Sequence, residues 1–270
     1  MPAFQRGDVT LHYELDGQGE DAVYISGLGS HSNDILGGIM RQGIASKYRV
    51  LSVDNRGSGQ TMVNSSSTTT IEDMADDIAA LMDAQGMGAA NVAGVSMGGC
   101  IALTLAVRHP EKVRRLVVAV SFAKSNPTPN RAEFMLQTLW AMRDRGVPHD
   151  LISRYDAVML LSEDVFRYGA FIDAWVNAPE DPSGQTRAGF DLQTGALRTY
   201  DVLDAIRNIR VPTLVISSPD DMLVPPRFQD EIHAAIPNSE IKRYPGGHVF
   251  FLLPMYTAQF VEDILGFWGK

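Results

Sequence analysis

Short apolar runs alternate along this chain with longer stretches whose apolar residues recur three or four positions apart. "VTLHYELDGQG" alternates apolar and polar residues before a Gly-rich turn, a hairpin-like strand signal. "DAVYISGLGS" is a short buried strand ending in glycines, and "YRVLSVDNRGSG" repeats the pattern of apolar strand and turn-rich tip. From Thr70, "TIEDMADDIAALMDAQG" sets Ile71, Met74, Ile78, Leu81 and Met82 at helical spacing, with Thr70 and Asp73 as the N-terminal cap and Gly86 as the stop. "NVAGV" predicts a strand, "MGGCIALTLAVRHP" a helix closed by Pro110, and "VRRLVVAVSF" another buried strand.

Short apolar strands alternating with helices predict an α/β fold, with a mostly parallel sheet covered by helices on both faces. The rhythm breaks after about Ser125. From Asn126 to Ala205 the patterns are helical, including "RAEFMLQTLWAMRDRG" and "SEDVFRYGAFIDAWVNA", and no strand is convincing. Strand–helix order returns with "VPTLVISSPDD", "PRFQDEIHAAIP", "SEIKRYPGG" and a last helix near Met255 to Trp268. The expected organisation is an α/β core over 1–125 and 206–270, with a helical cap over 126–205. The polar tract "NSSSTTT" reads as a loop feeding a helix; its Asn64-Ser65-Ser66 fits a glycosylation acceptor, but no secretory signal supports that use.

Composition narrows the function classes. With 45% hydrophobic and 20% charged residues in 270, the chain suits one soluble globular unit with a substantial core. No apolar run approaches the roughly 18 to 20 residues that cross a bilayer, and the first residues lack a signal-peptide pattern. A net charge of −9 opposes nucleic-acid binding. The single Cys100 permits neither an internal disulfide nor a thiolate metal cluster, and it is expected to pack against the sheet. A cytoplasmic protein without metal or cofactor, acting on a small molecule, is expected; self-association is left open.

Three segments carry candidate chemistry. "GVSMGG" supplies G-x-S-x-G with a strand before Ser96 and a helix after it, the setting of a nucleophile raised on a sharp turn. Serine is a weak nucleophile at neutral pH and needs a base within hydrogen-bond reach. "SSPDDMLVPP" puts Asp220 and Asp221 at the carboxyl end of a strand, where a carboxylate can accept a histidine Nδ1–H. Asp221, four residues before Pro225, is preferred, and Asp220 remains open. "YPGGHVFFLLP" places His248 after a strand and two glycines; His31, after the second strand, is the weaker alternative base, and His12, His109, His149 and His233 fit less well. The Met97 amide, and the Leu28 amide in "SGLGS", are the expected donors to an oxyanion. As a dinucleotide loop "SGLGS" is poor, since Ser32 stands where a third glycine belongs.

"SGLGSHSND", "DNRGSGQT", "GVSMGG", "DDMLVP" and "GGHVFFLLP" together resemble the α/β-hydrolase superfamily, from end to end of the core. The resemblance implies a helical cap over the site, Ser96 as nucleophile, His248 as base, Asp221 as orienting acid, and Leu28 and Met97 amides as oxyanion hole. Within the superfamily the segments look most like small-molecule hydrolases: enol-lactonases, carboxylesterases and aminoacrylate hydrolases. One departure is Ser26-Gly27, where many members have His-Gly; the loop's hydrogen-bond support is therefore in question. A serine nucleophile disfavours chemistry through an alkyl-enzyme ester. The expected reaction is ester or lactone hydrolysis through an acyl-enzyme, with C–C, enamine or amide cleavage by the same triad as the alternative. A peptidase, perhydrolysis as a side activity, and a ligand-binding protein on the same scaffold are lesser readings. "DNRGSGQT" is expected to be a structural turn braced by Arg56.

Overall fold

The computed structural model describes residues 2–64, 68–126, 130–181 and 184–270. Ser65 and Ser66 of the Asn64-Ser65-Ser66 triplet lie outside them. The strands are β1 (Ala3–Arg6), β2 (Val9–Asp16), β3 (Glu20–Ile25), β4 (Tyr48–Val53), β5 (Met62–Val63), β6 (Ala90–Val95), β7 (Val113–Ala119), β8 (Thr213–Ser217) and β9 (Ser239–Arg243). The helices are α1 (Ile35–Ala45), α2 (Ile71–Ala84), α3 (Met97–Arg108), α4 (Arg131–Asp144), α5 (His149–Leu160), α6 (Gly169–Val176), α7 (Arg187–Arg198), α8 (Arg227–Ala235) and α9 (Pro254–Trp268).

Sheet order is β1-β2-β4-β3-β6-β7-β8-β9, with β5 also on β2. The β1–β2, β2–β4 and β2–β5 pairs are antiparallel; all pairs from β4 to β9 are parallel. Strand alternation sends β3 side chains to both faces. Val23 and Ile25 join one buried cluster with α2 and α3, while Ala22 and Tyr24 join another with α1 and α9. α3 is buried along most of its length, as a helix apolar all round must be. α2 starts on the expected capping box: Thr70 accepts from the Asp73 amide at 3.1 Å, and Asp73 accepts from the Thr70 amide at 2.9 Å.

Two readings of pattern change. The glycines after β2 do not close a hairpin onto β3, because β4 lies between them; the hairpin is β1–β2, turning at Gly7. Gly17 (φ +75°) instead lets the chain pass against the carbonyls of Ala45 and Tyr48, where a Cβ has no room. α1 gives little sequence signal because Gly37, Gly38 and Gly43 lower its propensity. It is held by the Asp34 cap, which accepts from the Gly37 amide at 2.6 Å, and by packing on α9, where a Cβ at Gly43 would come within 2.8 Å of Val261.

α4 to α7 all fall between β7 and β8, and among the described residues this stretch contributes no strand to the sheet. Among those residues no helix is long and apolar enough to cross a membrane, and no group of three or more His, Cys, Asp or Glu could hold a metal ion.

Candidate active site

In a mostly parallel sheet the loops that leave the strands' carboxyl ends gather on one edge. Register makes this specific: Ile25 of β3 pairs with Gly94 of β6, Val95 with Ala119 of β7, and Ala119 with Ile216 of β8. The oxyanion-loop candidate, the serine turn and the acidic loop therefore emerge side by side.

Ser96 sits between β6 and α3 at φ +54°, ψ −122°, a backbone position that costs about 1–3 kcal/mol for a non-glycine residue. Its surroundings over-determine it. The Ser96 amide donates to Ala119 O at 2.9 Å, and its carbonyl accepts from Ser121 Oγ at 2.7 Å. A Cβ at Gly94 would collide with Gly98 O, and one at Gly98 with Ile25 O, so the turn closes only on glycines. Val120, the next residue beyond β7, also has positive φ (44°), a costly conformation for a β-branched residue that sets Ser121 against the elbow. Gln229 fixes Ser121 from the other side, donating to its carbonyl at 2.7 Å. Sequence patterning does not single out Val120, Ser121 or Gln229.

His248 Nε2 lies 3.1 Å from Ser96 Oγ, and its Nδ1 lies 2.7 Å from Asp221 Oδ2. Asp221 is buried, and its other oxygen accepts from the amides of Leu223 (2.9 Å) and Val224 (2.8 Å). A carboxylate that accepts so many bonds has its rotamer fixed, and it in turn makes Nδ1 the donor. Asp220 is exposed and does not share this geometry. The histidine loop is packed rather than loose. Gly246 and Gly247 have φ of +124° and +90°, Gly247 donates to Ser218 Oγ at 3.1 Å, and Phe250 stacks on Tyr244 at 4.7 Å. Gly247 also bridges to Leu161, just beyond α5, so the helical segment touches this loop directly.

The other histidines go elsewhere. His12 bonds Asp54, His109 bonds Asp76, His149 bonds Ala178 O, and His233 bonds Ser239. His31 lines the same cavity as Ser96 but pairs with Asp181 at 3.0 Å. Cys100 is buried, its Sγ 3.3 Å from Phe122 O, and burial pushes its thiol up to about 12.

The loop Gly27-Leu28-Gly29 lies against the elbow, close enough that a Cβ at Gly27 would be 3.2 Å from Ser96 Cβ. Among the described residues, the Leu28 and Met97 amides donate to no protein acceptor. The loop's support comes from places the sequence does not announce. Asn55 donates to Ser26 O at 3.0 Å, and buried Gln193 of α7 accepts from the Gly29 amide at 2.9 Å while donating to Arg56 O at 2.8 Å. Gln185 donates to the same Gln193 oxygen at 2.7 Å. The turn beneath is braced by Arg56, buried between Asp77 (2.6 Å) and Asp8 (3.0 Å), and by Asp54, which accepts from Ser32 and Gln60 amides.

Ser96 and His248 open into a cavity of about 750 Å³ lined mostly by apolar groups. Of the aromatic and methionine side chains of the helical segment, Trp140, Met159, Phe171 and Trp175 line it, while Phe134 and Phe166 are exposed. Of the segment's carboxylates, Glu133 lines the cavity, paired with Arg198 at 2.9 Å, and Asp144 pairs with Arg187 away from it. Asp156, Glu180 and Asp181 line it as well. Burial pushes Asp156 up to about 6, against the pull of Arg143 and His149.

Residues 23–254 match the family described as alpha/beta hydrolase fold. The chain belongs to the α/β-hydrolase family, a family of hydrolase enzymes. Among its relatives is a Caulobacter sp. (strain K31) protein named "Putative carbamate hydrolase RutD", 32% identical over 222 residues covering 77% of each chain. A Mycobacterium tuberculosis (strain CDC 1551 / Oshkosh) protein named "Putative non-heme bromoperoxidase BpoC" is 32% identical over 248 residues, 90% of this hydrolase and 92% of that protein. The enol-lactonase from Burkholderia xenovorans LB400 superposes over 100% of both chains with a TM-score of 0.82 at 21% identity, a likeness of fold.

Proposed function

We propose that this hydrolase cleaves an ester or lactone of a small, partly apolar carboxylic substrate through an acyl-enzyme on Ser96. The observation that carries the reading is the continuous line from Ser96 Oγ through His248 to Asp221, with links of 3.1 and 2.7 Å, facing a mostly apolar cavity. In this reading Ser96 Oγ attacks the carbonyl carbon while His248 Nε2 takes its proton, and Asp221 holds the Nδ1–H and balances the imidazolium. The Met97 amide, at the N-terminus of α3, and the Leu28 amide receive the charge that develops on the carbonyl oxygen. Collapse expels the alcohol, which leaves with the proton from His248. Water, deprotonated by the same nitrogen, then attacks the acyl carbon, and Ser96 departs reprotonated with the acid released. No metal, cofactor, nucleic acid or membrane enters this scheme, and we keep the cytoplasm as the expected setting.

The test is labelling with a fluorophosphonate together with turnover of short p-nitrophenyl esters. One phosphonyl group per chain on Ser96 is expected, with neither labelling nor turnover in folded Ser96→Ala. Full turnover in that variant would falsify the assignment, and wild-type protein that binds esters but resists the label would be a binding protein instead. A second reading has one specific support, the relative named as a carbamate hydrolase. There the same residues cleave a carbamate, amide or enamine, and a panel of these beside esters and lactones ranks the two.

A further inference from the structure

We propose that Asp156 is a substrate-binding residue: it accepts a hydrogen bond from a neutral donor, an amide N–H or a hydroxyl, on the non-reacting part of the substrate. The proposal rests on the acyl-enzyme reading and names what its cavity selects.

Each of the other carboxylates lining the cavity from the helical segment has a fixed side-chain partner. Glu133 pairs with Arg198, Glu180 with Arg143 at 3.2 Å, and Asp181 with His31. Asp34, on the core side, caps α1. Asp156 alone, among the described lining carboxylates, has no hydrogen bond or ion pair, although it faces a mostly apolar space. A carboxyl so placed is costly unless something donates to it, and no protein group donates to it directly; Arg143 and His149 only pull on it from nearby. Its helix explains the placement. His149, Ser153 and Asp156 fall at i, i+4 and i+7, one face of α5, and all three line the cavity, while Leu151 and Val158 on another face are exposed.

Position then gives reach. The carbonyl of Leu160, four residues on, accepts from the Val249 amide next to His248 at 3.4 Å. Asp156 thus stands about one helical turn, roughly 6 Å, above the point where α5 meets the histidine loop. A donor a few bonds from the scissile carbonyl can meet it. Charge decides the kind of donor. The Arg143 guanidinium, shared with Glu180, and the His149 ring both favour the ionised Asp156, and the guanidinium opposes a second cation beside it. The Asp156 carboxylate itself opposes an anion. A neutral N–H or O–H group suits both constraints, and it leaves the remaining cavity to apolar parts of the substrate.

The experiment uses matched p-nitrophenyl and alkyl esters of equal length whose chains end in methyl, hydroxyl, carboxamide or ammonium, with the end group placed in turn on the acyl and the alcohol side. Wild type should favour the hydroxyl or carboxamide ester over the methyl ester by tenfold or more in kcat/KM, mainly through KM, in one of the two series. Asp156→Leu should erase or invert that preference while keeping methyl-ester turnover within a few-fold, which also shows that it folds. Asp156→Asn, which retains an acceptor oxygen, should keep part of the preference. Equal losses on every ester in Asp156→Leu would make Asp156 a structural counter-charge and overturn the proposal, as would a wild-type preference for ammonium or for methyl. If no ester turns over, the acyl-enzyme reading fails separately. Binding of the same compounds to Ser96→Ala, followed by calorimetry, still decides the subsite: a hydroxyl or carboxamide advantage that Asp156→Leu removes supports it, and its absence overturns it.

Discussion

On the sheet side of the cavity, Ser96, His248 and Asp221 are each held by several fixed partners; on the helical side, α4, α5 and α6 present aromatic rings, Met159 and a carboxyl, Asp156, with no direct hydrogen bond. The elbow is closed by glycines whose missing Cβ atoms are spaces already filled by backbone. Across from it, Phe134 is 70% exposed, Val158 57% and Leu151 47%, and the α4–α5 cluster is a small one around Leu139, Ile152 and Met159. The difference teaches how the labour is divided. Preorganised hydrogen bonds tolerate little displacement, so the reacting groups belong on the rigid sheet edge. A surface that chooses among substrates needs shape and a few polar points, and short helices on a loop-rich segment can supply those.

The largest effects should come from breaking the sheet side. Asp221→Asn preserves shape but can hold the imidazole in the wrong tautomer, so kcat on a short ester should fall by about 10⁴-fold. Asp220→Asn, at an exposed neighbour, should leave kcat within about twofold. Steady-state kinetics of the two variants side by side checks this pair. Equal losses, or a loss confined to Asp220, would remove Asp221 from the orienting role.

A middle-sized effect should appear where the two regions are tied. Gln193 belongs to α7, yet it takes the Gly29 amide and gives to Arg56 O, so the helical segment fastens the loop that carries the Leu28 amide. Removing an oxyanion donor outright costs about 10²–10³-fold, and loosening one should cost less, about 10–100-fold. Gln193→Ala is expected to lower kcat by that amount with little change in KM, and to slow fluorophosphonate labelling in parallel. Gln193→Glu keeps the acceptor for Gly29 but places a carboxylate against Arg56 O, and should fall between the two. A loss of thermal stability with kcat intact would leave Gln193 as a structural tie only.

Legibility in the sequence follows the same division. Periodicity reads β3, β4, α2, β6, α3, β7, β8 and α9 because each is buried strongly enough to force a regular apolar pattern. β1 is half exposed, β5 has two residues, and α1 carries three glycines, two of them (Gly37 and Gly43) at close approaches, so none of these elements announces itself. Ser96, Asp221 and His248 stand out because the turns that present them need glycine and proline at fixed offsets. Gln193 could not, since its meaning is a contact with Gly29, 164 residues away. Asp156 had a faint signal: a polar stripe at i, i+4 and i+7 within "HDLISRYDAVML" that becomes informative only once that face is known to be inside.

The smallest effect on chemistry, and a sharp one on stability, should come from the unsatisfied carboxyl itself. Burial raises Asp156 from 3.8 to about 6, with Arg143 and His149 pulling it down less strongly. In the unfolded chain the group ionises near its ordinary value, so between about pH 4 and 6 the native state binds more protons than the unfolded state. Stability from this group is therefore present below about pH 4 and is lost as pH rises through about 6. Over the full range the cost is at most about 3 kcal/mol, before any relief from water in the cavity. Asp156→Asn has no charge to bury and should gain stability relative to wild type across that window, with the difference flat above about pH 7. Thermal or urea unfolding of both proteins from pH 4 to 8 measures it. Parallel curves would mean that the native state leaves Asp156 as well solvated as the unfolded chain does. A neutral donor ligand that binds Asp156 should stabilise wild type most above about pH 6, where the carboxylate it satisfies is ionised.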